Sequence, residues 1–366
     1  MKEVSARSLK GLFIEKYLSE YINRGSSMNN TITYPPRIKL ANTPTPLEML
    51  PRISEQLGVE LYIKRDDLTG MELSGNKVRK LEFVLADAVA QEADTVITCG
   101  GAQSNHARAT AIAAAKLGLK SCLILRTPDP FDPPPYEGNS LLDKLVGAEI
   151  VWITPEEYGK REKIFKREAN SLRRIGRNPY IIPEGASNSL GAWGYIRALE
   201  EIAGELQALP GGTKKQTILI NAAGSGGTTA GLILGVILLG LNAKVVSVNV
   251  CNDRDYFVRT IGRICEEAIE IYHLNIPFSK ERDVNIIDGY VGRGYAISRP
   301  EELKLIRDLA RLEGVVLDPV YTAKAFLGMT RELERNPRVF GERIVFIHTG
   351  GIFGLFPKTD EISGLL

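Results

Sequence analysis

Cysteine and histidine are scarce in this sequence, which has four of the first and three of the second among 366 residues. The cysteines, at positions 99, 122, 251 and 265, form no Cys-x-x-Cys pair and are too few for a disulfide scaffold. Such usage is typical of a reducing compartment, so we expect a cytoplasmic protein. The histidines lack partners at the spacing of metal ligands, and we therefore expect no metal site.

The sequence also lacks an excess of charge of one sign and any long hydrophobic run. With 46 basic and 44 acidic residues, the formal net charge of +2 makes nucleic acid an unexpected partner. The most apolar stretch, residues 230–241, is too short to span a bilayer, and we expect no membrane partner. The first thirty residues contain no uninterrupted apolar core of the kind that a secretory signal has.

Residues 1–35 are predicted to form an N-terminal extension. Helical periodicity over residues 9–22 is broken at residues 24–27, directly before Met28. The first 27 residues are therefore either an appended helix or the result of an upstream start codon.

The rest of the chain alternates strand-like and helix-like patterns. Strands are predicted near residues 61–63, 95–99, 121–125, 149–153, 180–182, 217–221, 244–250 and 343–347, and helices between them include 77–92, 107–117 and 156–174. Alternation at this pitch predicts βαβ units with parallel sheets. We expect two doubly wound, open-sheet α/β domains: a large one from residues 36–79 and 190–366, and a small one from residues 80–189.

Lys77 stands where a glycine-bearing segment, Leu73-Ser74-Gly75-Asn76, meets a helical pattern. Most lysines are exposed to solvent, so taken alone Lys77 would be interpreted as a solvated helix residue. A primary amine held at such a junction could instead form a Schiff base with a carbonyl group.

A second junction favours the latter interpretation. Residues 222–231, Ala-Ala-Gly-Ser-Gly-Gly-Thr-Thr-Ala-Gly, follow an apolar strand and precede an apolar helix. Such a loop presents backbone N–H groups at a helix N-terminus, where a phosphate is favoured. No Gly-Lys-Ser/Thr follows, and the GxGxxG pattern is imperfect, so a single phosphate fits better than a nucleotide. Lysine plus a monophosphate site indicates pyridoxal phosphate.

In open α/β sheets, ligands bind beyond the carboxyl ends of the strands. Two further strand exits carry polar residues there: residues 100–106, Gly-Gly-Ala-Gln-Ser-Asn-His, and residues 348–354, which begin His-Thr-Gly-Gly. Together with Arg65-Asp66-Asp67, Ser74-Gly75-Asn76-Lys77 and Asp318-Pro319-Val320-Tyr321, they resemble the fold-type II pyridoxal-phosphate enzymes, which are tryptophan synthase β-like. The resemblance runs from about residue 36 to the C-terminus. It is strongest to the group that joins 1-aminocyclopropane-1-carboxylate deaminase and D-cysteine desulfhydrase.

The resemblance implies a role for each matching residue. Lys77 would hold the cofactor and move protons at the substrate α-carbon, and Asn105 would bond the ring hydroxyl. Thr349 would lie beside the pyridine nitrogen, and Ser104 would meet the substrate carboxylate. The phosphate would be wrapped by Gly224, Ser225, Gly226, Gly227 and Thr228. Asn105 could instead be a helix N-cap, Ser104 a solvated loop residue and Thr349 a turn cap.

Phenols can donate to a carboxylate or transfer a proton, although buried tyrosines more often anchor packing. The family match raises Tyr290 and Tyr321 to predicted catalytic residues. For Tyr295 packing is the expected role. His106 could act as a base near neutral pH, but we expect it to pack on the first helical turn beside Asn105.

Two departures from the deaminase pattern bear on the substrate. The deaminases resemble one another in having Gln after the Ser-Asn pair and Glu after the Asp-Pro-Val-Tyr tyrosine, where this chain has His106 and Thr322. A carboxylate at position 322 would help to open a cyclopropane, whereas a β-thiol leaves more readily. We therefore predict α,β-elimination on D-cysteine, giving pyruvate, ammonia and hydrogen sulfide.

Several alternatives stay open at this point. They are deamination of 1-aminocyclopropane-1-carboxylate to 2-oxobutanoate, elimination from another β-substituted alanine such as cysteate, and a pyridoxal-phosphate carrier of low activity. The resemblance further implies a homodimer. The proline-rich segment at residues 129–136 is expected to be an exposed loop that could form part of a lid.

Overall fold

The computed structural model describes residues 25–26 and 31–365. The predicted helix at residues 9–22 and most of the predicted extension lie outside these residues. The strands are β1 Gly25–Ser26, β2 Thr31–Ile32, β3 Leu47–Met49, β4 Glu60–Lys64, β5 Thr95–Gly101, β6 Lys120–Arg126, β7 Glu149–Ile153, β8 Pro179–Ile181, β9 Thr217–Ala223, β10 Ala243–Asn249, β11 Asn285–Ile287 and β12 Arg343–Ile347.

The helices are α1 Pro51–Leu57, α2 Asn76–Ala90, α3 Asn105–Lys116, α4 Gly138–Leu145, α5 Pro155–Tyr158, α6 Arg161–Arg174, α7 Ser189–Gln207, α8 Gly227–Leu238, α9 Arg254–Ile271, α10 Lys280–Asp283, α11 Pro300–Glu313, α12 Thr322–Arg335 and α13 Thr359–Ser363. Short 3₁₀ turns lie at Asp66–Leu68, Glu184–Ala186, Gly212–Lys214, Ile352–Gly354 and Phe356–Lys358.

Two sheets carry the architecture. The larger has the order β11-β10-β9-β12-β4-β3 and is parallel except for the β3–β4 pair. The smaller has the order β7-β6-β5-β8 and is parallel throughout. The predicted α/β class with two open, helix-covered sheets is confirmed. The short strands β1, β2, β3 and β11, of two or three residues each, were not predicted.

Both faces of the large sheet are buried, as the continuous apolar runs of its strands require. Along β12, Val345 and Ile347 pack into one apolar cluster, while Ile344 and Phe346 pack into another on the opposite face. All seven residues of β9 are buried. The central strands are therefore rigid supports for whatever follows their carboxyl ends.

Helix α2 links the two sheets. Its Phe83 packs into a cluster that covers the large sheet, and its Val84 and Leu85 pack with Val96 of the small sheet. The predicted division between residues 79 and 80 falls inside this helix. The assignment of residues to two domains stays a prediction.

One predicted helix is two helices in the structure. The segment predicted as helical near residues 156–174 is divided into α5 and α6. A capping box between Thr154 and Glu157 starts a first helix of four residues, which ends at Gly159 before the amphipathic α6 begins. The loop at residues 129–136 is irregular, and Phe131 is 98% exposed there. Across the described ranges, no helix is both long and apolar enough to cross a membrane.

Candidate active site

The strand exits predicted to carry chemistry meet at one cavity. It lies at the carboxyl ends of β9 and β12 and at the N-termini of α2, α3 and α8. Its lining residues are Asn76, Lys77, Asn105, Ala222, Gly224, Ser225, Gly226, Thr228, Thr229, Tyr321 and Thr349. Eight of these were predicted from the sequence; Ser104, Gly227 and Tyr290 were predicted too but are not among them.

Lys77 lies in the first turn of α2, which is pressed against the turn after β12. Gly75 precedes the helix with φ 109°, and a Cβ there would lie 2.7 Å from the Thr349 carbonyl oxygen. Only glycine allows this approach. The Asn76 N–H donates to the same carbonyl at 3.1 Å. The start of α2 and the turn after β12 are therefore held in one fixed arrangement beside Lys77.

The Lys77 amine has an environment suited to reaction with a carbonyl group. Burial lowers its pKa from an ordinary value of 10.5 to about 8, against a smaller opposing effect of Glu184. Near neutral pH, a useful fraction of the amine is therefore unprotonated and nucleophilic.

A second amine, which the sequence analysis did not single out, lies in the same place. Lys80 is fully buried, and its Nζ donates to Ser187 Oγ at 3.1 Å. Burial, with the neighbouring Lys77 amine, holds the pKa of Lys80 well below its usual range. The spacing of three residues in Asn-Lys-Val-Arg-Lys puts both lysines on one helix face, and that is the signal that could have found it.

Lys80 connects to the glycine loop through hydroxyl groups. Ser187 Oγ lies 2.8 Å from Ser225 Oγ and accepts from the Gly227 N–H at 3.2 Å. Gly226, at φ 86°, turns the chain into α8. An amine and the N-terminus of a twelve-residue helix thus lie together, which is a site for an anionic group.

Asn76 also joins the two junctions. Its side-chain amide donates to Thr228 Oγ1 at 2.9 Å, across 152 positions of sequence. An asparagine next to Lys77 gives no signal of this contact in the sequence. The bond ties the start of α2 to the start of α8, so the Lys77 amine and the glycine loop keep a constant separation.

The structure assigns the helix cap at α3 to Ser104. Its Oγ accepts from the Ala107 N–H at 3.1 Å, which leaves Asn105 as the first helical residue. The alternative interpretation of Asn105 as the cap is therefore wrong. Asn105 lines the cavity, and its Oδ1 accepts from Asn139 Nδ2 at 3.0 Å. The predicted contact of Ser104 with a substrate carboxylate stays a prediction.

The tyrosines are distributed differently from the sequence-based expectation. Tyr321 lines the cavity, and its hydroxyl lies 2.7 Å from the hydroxyl of Tyr295. Tyr290 lies elsewhere, with its hydroxyl donating to Glu332 Oε1 at 2.6 Å and its ring in an apolar cluster. The phenol beside Tyr321 is thus that of Tyr295, for which packing was expected. A catalytic role for Tyr290 has no support in its contacts.

Arg126 adds a positive charge to this side of the cavity. Its guanidinium lies 4.5 Å from the ring centroid of Tyr158 and 4.6 Å from that of Tyr295. Burial raises the pKa of Tyr295 to about 12, while Tyr321 and Arg126 oppose the rise. Tyr295 is therefore protonated at neutral pH and can donate.

The two buried histidines take supporting positions. His106 Nε2 lies 2.8 Å from Thr98 Oγ1, and burial with the nearby Lys77 and Lys80 holds its pKa well below its usual range. It is a neutral, packed residue, in line with its expected place beside Asn105. His348 Nδ1 accepts from the Gly350 N–H at 3.2 Å and shapes the turn after Thr349.

The residues present suit pyridoxal phosphate. The amines of Lys77 and Lys80 are buried, and neither forms an ion pair among the described residues. The glycine loop leaves space that a Cβ would fill at Gly224. A Cβ on Gly224 would lie 2.8 Å from the Tyr321 ring. Within the described parts of the chain, no group of three metal-ligating side chains occurs.

Comparisons with known proteins agree with this chemistry. A family model described as pyridoxal-phosphate dependent enzyme matches residues 38–350. An Arabidopsis thaliana protein named bifunctional D-cysteine desulfhydrase/1-aminocyclopropane-1-carboxylate deaminase, mitochondrial, is 46% identical over 89% of this chain and 81% of its own. A putative 1-aminocyclopropane-1-carboxylate deaminase of Thermotoga maritima is 45% identical over 89% and 99%. A D-cysteine desulfhydrase of Yersinia pseudotuberculosis is 38% identical over 92% and 100%.

Solved structures give the same result. One described as an ACC deaminase homologue has a TM-score of 0.81 and 38% identity, and the match covers 91% of this chain and 97% of that one. Threonine deaminase isoform 2 of Solanum lycopersicum has a TM-score of 0.57 at 18% identity, over 89% and 85%. The second likeness shows the shared fold alone.

Proposed function

This chain belongs to the pyridoxal-phosphate-dependent enzymes, and we propose from that premise that it catalyses α,β-elimination on D-cysteine. The cofactor supplies an aldehyde for the amines and a ring that stores the electrons released at the α-carbon. One water is consumed, and the products are pyruvate, ammonia and hydrogen sulfide. The curated relatives carry both D-cysteine desulfhydrase and deaminase in their names. The choice between the two therefore depends on the side chains around the cavity.

The observation that carries the choice is the environment of position 322. Thr322 is fully buried, and its hydroxyl donates to Asp318 Oδ1 at 2.7 Å. The Thr322 N–H donates to the same oxygen at 2.7 Å. The Thr322 side chain is thus engaged by Asp318 at the start of α12, and position 322 offers no acid to the cavity. Cyclopropane opening needs a proton delivered to a carbon atom, whereas loss of a thiol does not.

The residues around the cavity divide the proposed reaction between them. Lys77 Nζ, whose lowered pKa leaves part of it neutral, removes the proton from the substrate α-carbon. Lys80, Ser225 and the N–H groups at the start of α8 would hold the phosphate. Ser104 would bind the substrate carboxylate, and Thr349, which lines the cavity, would lie on the side of the ring nitrogen. The Tyr295 and Tyr321 hydroxyls donate a proton to the leaving sulfur.

The test is release of 2-oxo acid by the holoenzyme from D-cysteine, L-cysteine and 1-aminocyclopropane-1-carboxylate in separate reactions, with sulfide assayed alongside. Pyruvate and sulfide in equal amounts from D-cysteine alone are expected. Sulfide from L-cysteine alone would contradict the proposed stereochemistry. Absence of product from all three would favour a carrier of pyridoxal phosphate with little catalysis of its own.

Deamination of 1-aminocyclopropane-1-carboxylate is the second candidate, and one observation favours it. The Tyr295–Tyr321 pair provides protonated phenols at the cavity, so a proton donor for a ring carbon exists without a residue at position 322. Release of 2-oxobutanoate from the cyclopropane substrate would establish this activity. A cytoplasmic location and a homodimer are kept as parts of the proposal.

A further inference from the structure

We propose that Asn139 is a positioning residue that fixes which end of the Asn105 amide faces the cofactor, and that Arg108 fixes Asn139 in turn. The three side chains form a relay from the buried guanidinium to the cavity, defined here as the Arg108–Asn139–Asn105 relay. The proposal depends on the bound cofactor and not on which amino acid is the substrate. It concerns the ring oxygen that Asn105 meets.

The orientation of Asn139 follows from partners whose roles are unambiguous. Arg108 Nε can only donate, and it lies 2.7 Å from Asn139 Oδ1. The backbone oxygen of Gln103 can only accept, and it lies 3.1 Å from Asn139 Nδ2. The two ends of an amide are told apart by such partners. Asn139 therefore directs its oxygen to Arg108 and its nitrogen to Gln103.

The orientation of Asn105 follows in the next step. The nitrogen of Asn139 also donates to Asn105 Oδ1 at 3.0 Å. Because the oxygen of Asn105 is occupied, its Nδ2 is the end left for other partners. A Cβ on Gly351 would lie 2.8 Å from this nitrogen, so the nitrogen is directed at the turn after Thr349. Asn105 thus presents N–H donors, and the atom that it holds must be an acceptor.

The Arg108 side chain is itself fixed by burial and by hydrogen bonds to the backbone. It is 1% exposed, and its two terminal nitrogens donate to the backbone oxygens of Glu72 and Ser74. Those residues belong to the segment that leads to Lys77. The same guanidinium therefore sets the approach to Lys77 and the amide of Asn105, although they lie on different strand exits.

The chemical consequence is a preference for an ionised ring oxygen. An N–H donor stabilises an oxyanion, whereas a neutral hydroxyl in the same place would have to turn its proton elsewhere. The relay thus favours the ionised oxygen through three hydrogen bonds in series, from Arg108 to Asn139, from Asn139 to Asn105 and from Asn105 to the ring. The ionisation state is visible in the absorption spectrum of the bound cofactor.

The decisive variant is Asn139→Asp, which keeps the size and the bond to Arg108 but has no N–H. A carboxylate cannot donate to Asn105 Oδ1, so the Asn105 amide is expected to turn and present its oxygen to the cavity. The absorption band of the ionised ring should then lose intensity to that of the neutral ring at one fixed pH. The dissociation constant of the cofactor should rise about tenfold, as for one lost hydrogen bond to a charged group.

Asp143→Asn is the matched control. Asp143 lies one turn further along α4, is fully buried near Arg108, and forms no hydrogen bond through either carboxylate oxygen among the described residues. Its substitution changes the charge beside Arg108 and leaves the relay in place, so the spectrum should not change. An equal spectral change in both variants would overturn the proposal.

A second variant, Asn139→Ala, removes the hydrogen bond to Asn105 without forcing the Asn105 amide to turn. It separates loss of the relay from a general failure to fold. Asn139→Ala should keep the band of the ionised ring, since Asn105 is free to offer its N–H groups, but should release the cofactor faster. An unchanged spectrum and unchanged cofactor affinity in Asn139→Asp would also overturn the proposal. Because none of these measurements uses a substrate, a failure of the D-cysteine assignment would leave them interpretable.

Discussion

Two walls of the cavity are built in different ways. The cofactor wall, which we define as Lys77, Asn105, Gly224, Ser225, Gly226 and Thr228, is formed where loops join the first turns of helices. The tyrosine wall, defined as Tyr321 of the lining together with Tyr295, whose hydroxyl contacts that of Tyr321, depends on a loop with three glycines at positive φ, Gly289, Gly292 and Gly294. Local motifs thus supply the chemistry common to the cofactor. A loop placed by distant contacts puts Tyr295 beside Tyr321.

A single buried lysine holds the loop of the tyrosine wall. Lys324 Nζ donates to the carbonyl oxygens of Val291 and Gly294, both at 2.7 Å. Gly294 directly precedes Tyr295. The loop is therefore fastened from α12, whose N-terminus follows Tyr321, and the two phenols share one support. Substrate choice could change through this loop while the cofactor wall stays constant.

The largest expected effect is from Lys77→Ala, which removes the reactive group of the cofactor wall. Turnover should fall by at least about a thousandfold, because the base at the α-carbon is lost. The covalent link to the cofactor should also disappear from the absorption spectrum. Lys160→Ala, in an exposed pair with Glu156, is the control and should change neither. Full turnover by the Lys77 variant would rule out the assignment.

Tyr295→Phe and Tyr290→Phe compare the tyrosine that contacts Tyr321 with the one that the sequence predicted to be catalytic. The first removes the hydroxyl that meets Tyr321 and keeps the ring beside Arg126, so kcat should fall about a hundredfold with little loss of stability. The second removes the bond to Glu332, which should cost about 1 kcal/mol of unfolding free energy and leave kcat nearly unchanged. The reverse pattern in kcat would restore Tyr290 as the catalytic residue.

This contrast also explains what the sequence could predict. Strand-loop-helix junctions and hydrophobic periodicity gave the fold class and most of the cofactor wall, because each depends on neighbours in sequence. Tyr290 is predicted as catalytic from the family resemblance and Tyr295 as a packing residue, and the order of two tyrosines in a glycine-rich loop does not show which hydroxyl reaches Tyr321. The conformation of the loop sets which tyrosine meets Tyr321: its glycines have positive φ angles, and Lys324 donates to two of its carbonyl oxygens. The bond from Asn76 to Thr228 was missed for the same reason.

The pH dependence of cofactor capture tests the burial of Lys77. Its pKa is lowered to about 8, and only the neutral amine attacks an aldehyde. The rate at which apoprotein captures pyridoxal phosphate should therefore rise about tenfold per pH unit below about pH 8 and level off above it. A free alkylamine reacting with the same cofactor corrects for titration of the cofactor itself. A rate that still rises steeply at about pH 10 would mean an ordinary, solvated lysine.

Gly226→Ala should have the smallest effect and tests the backbone of the cofactor wall. Gly226 has φ 86°, and a Cβ there would lie 3.1 Å from Ile261 Cγ1. Alanine in the left-handed region should cost about 1–2 kcal/mol of unfolding free energy and weaken cofactor binding as the loop shifts. Gly204→Ala in α7, where a Cβ meets nothing within 4 Å, should instead stabilise by about 0.5–1 kcal/mol. Equal effects in chemical denaturation would mean that the loop has no special backbone requirement, and the phosphate site would then depend on Lys80 and its hydroxyl partners.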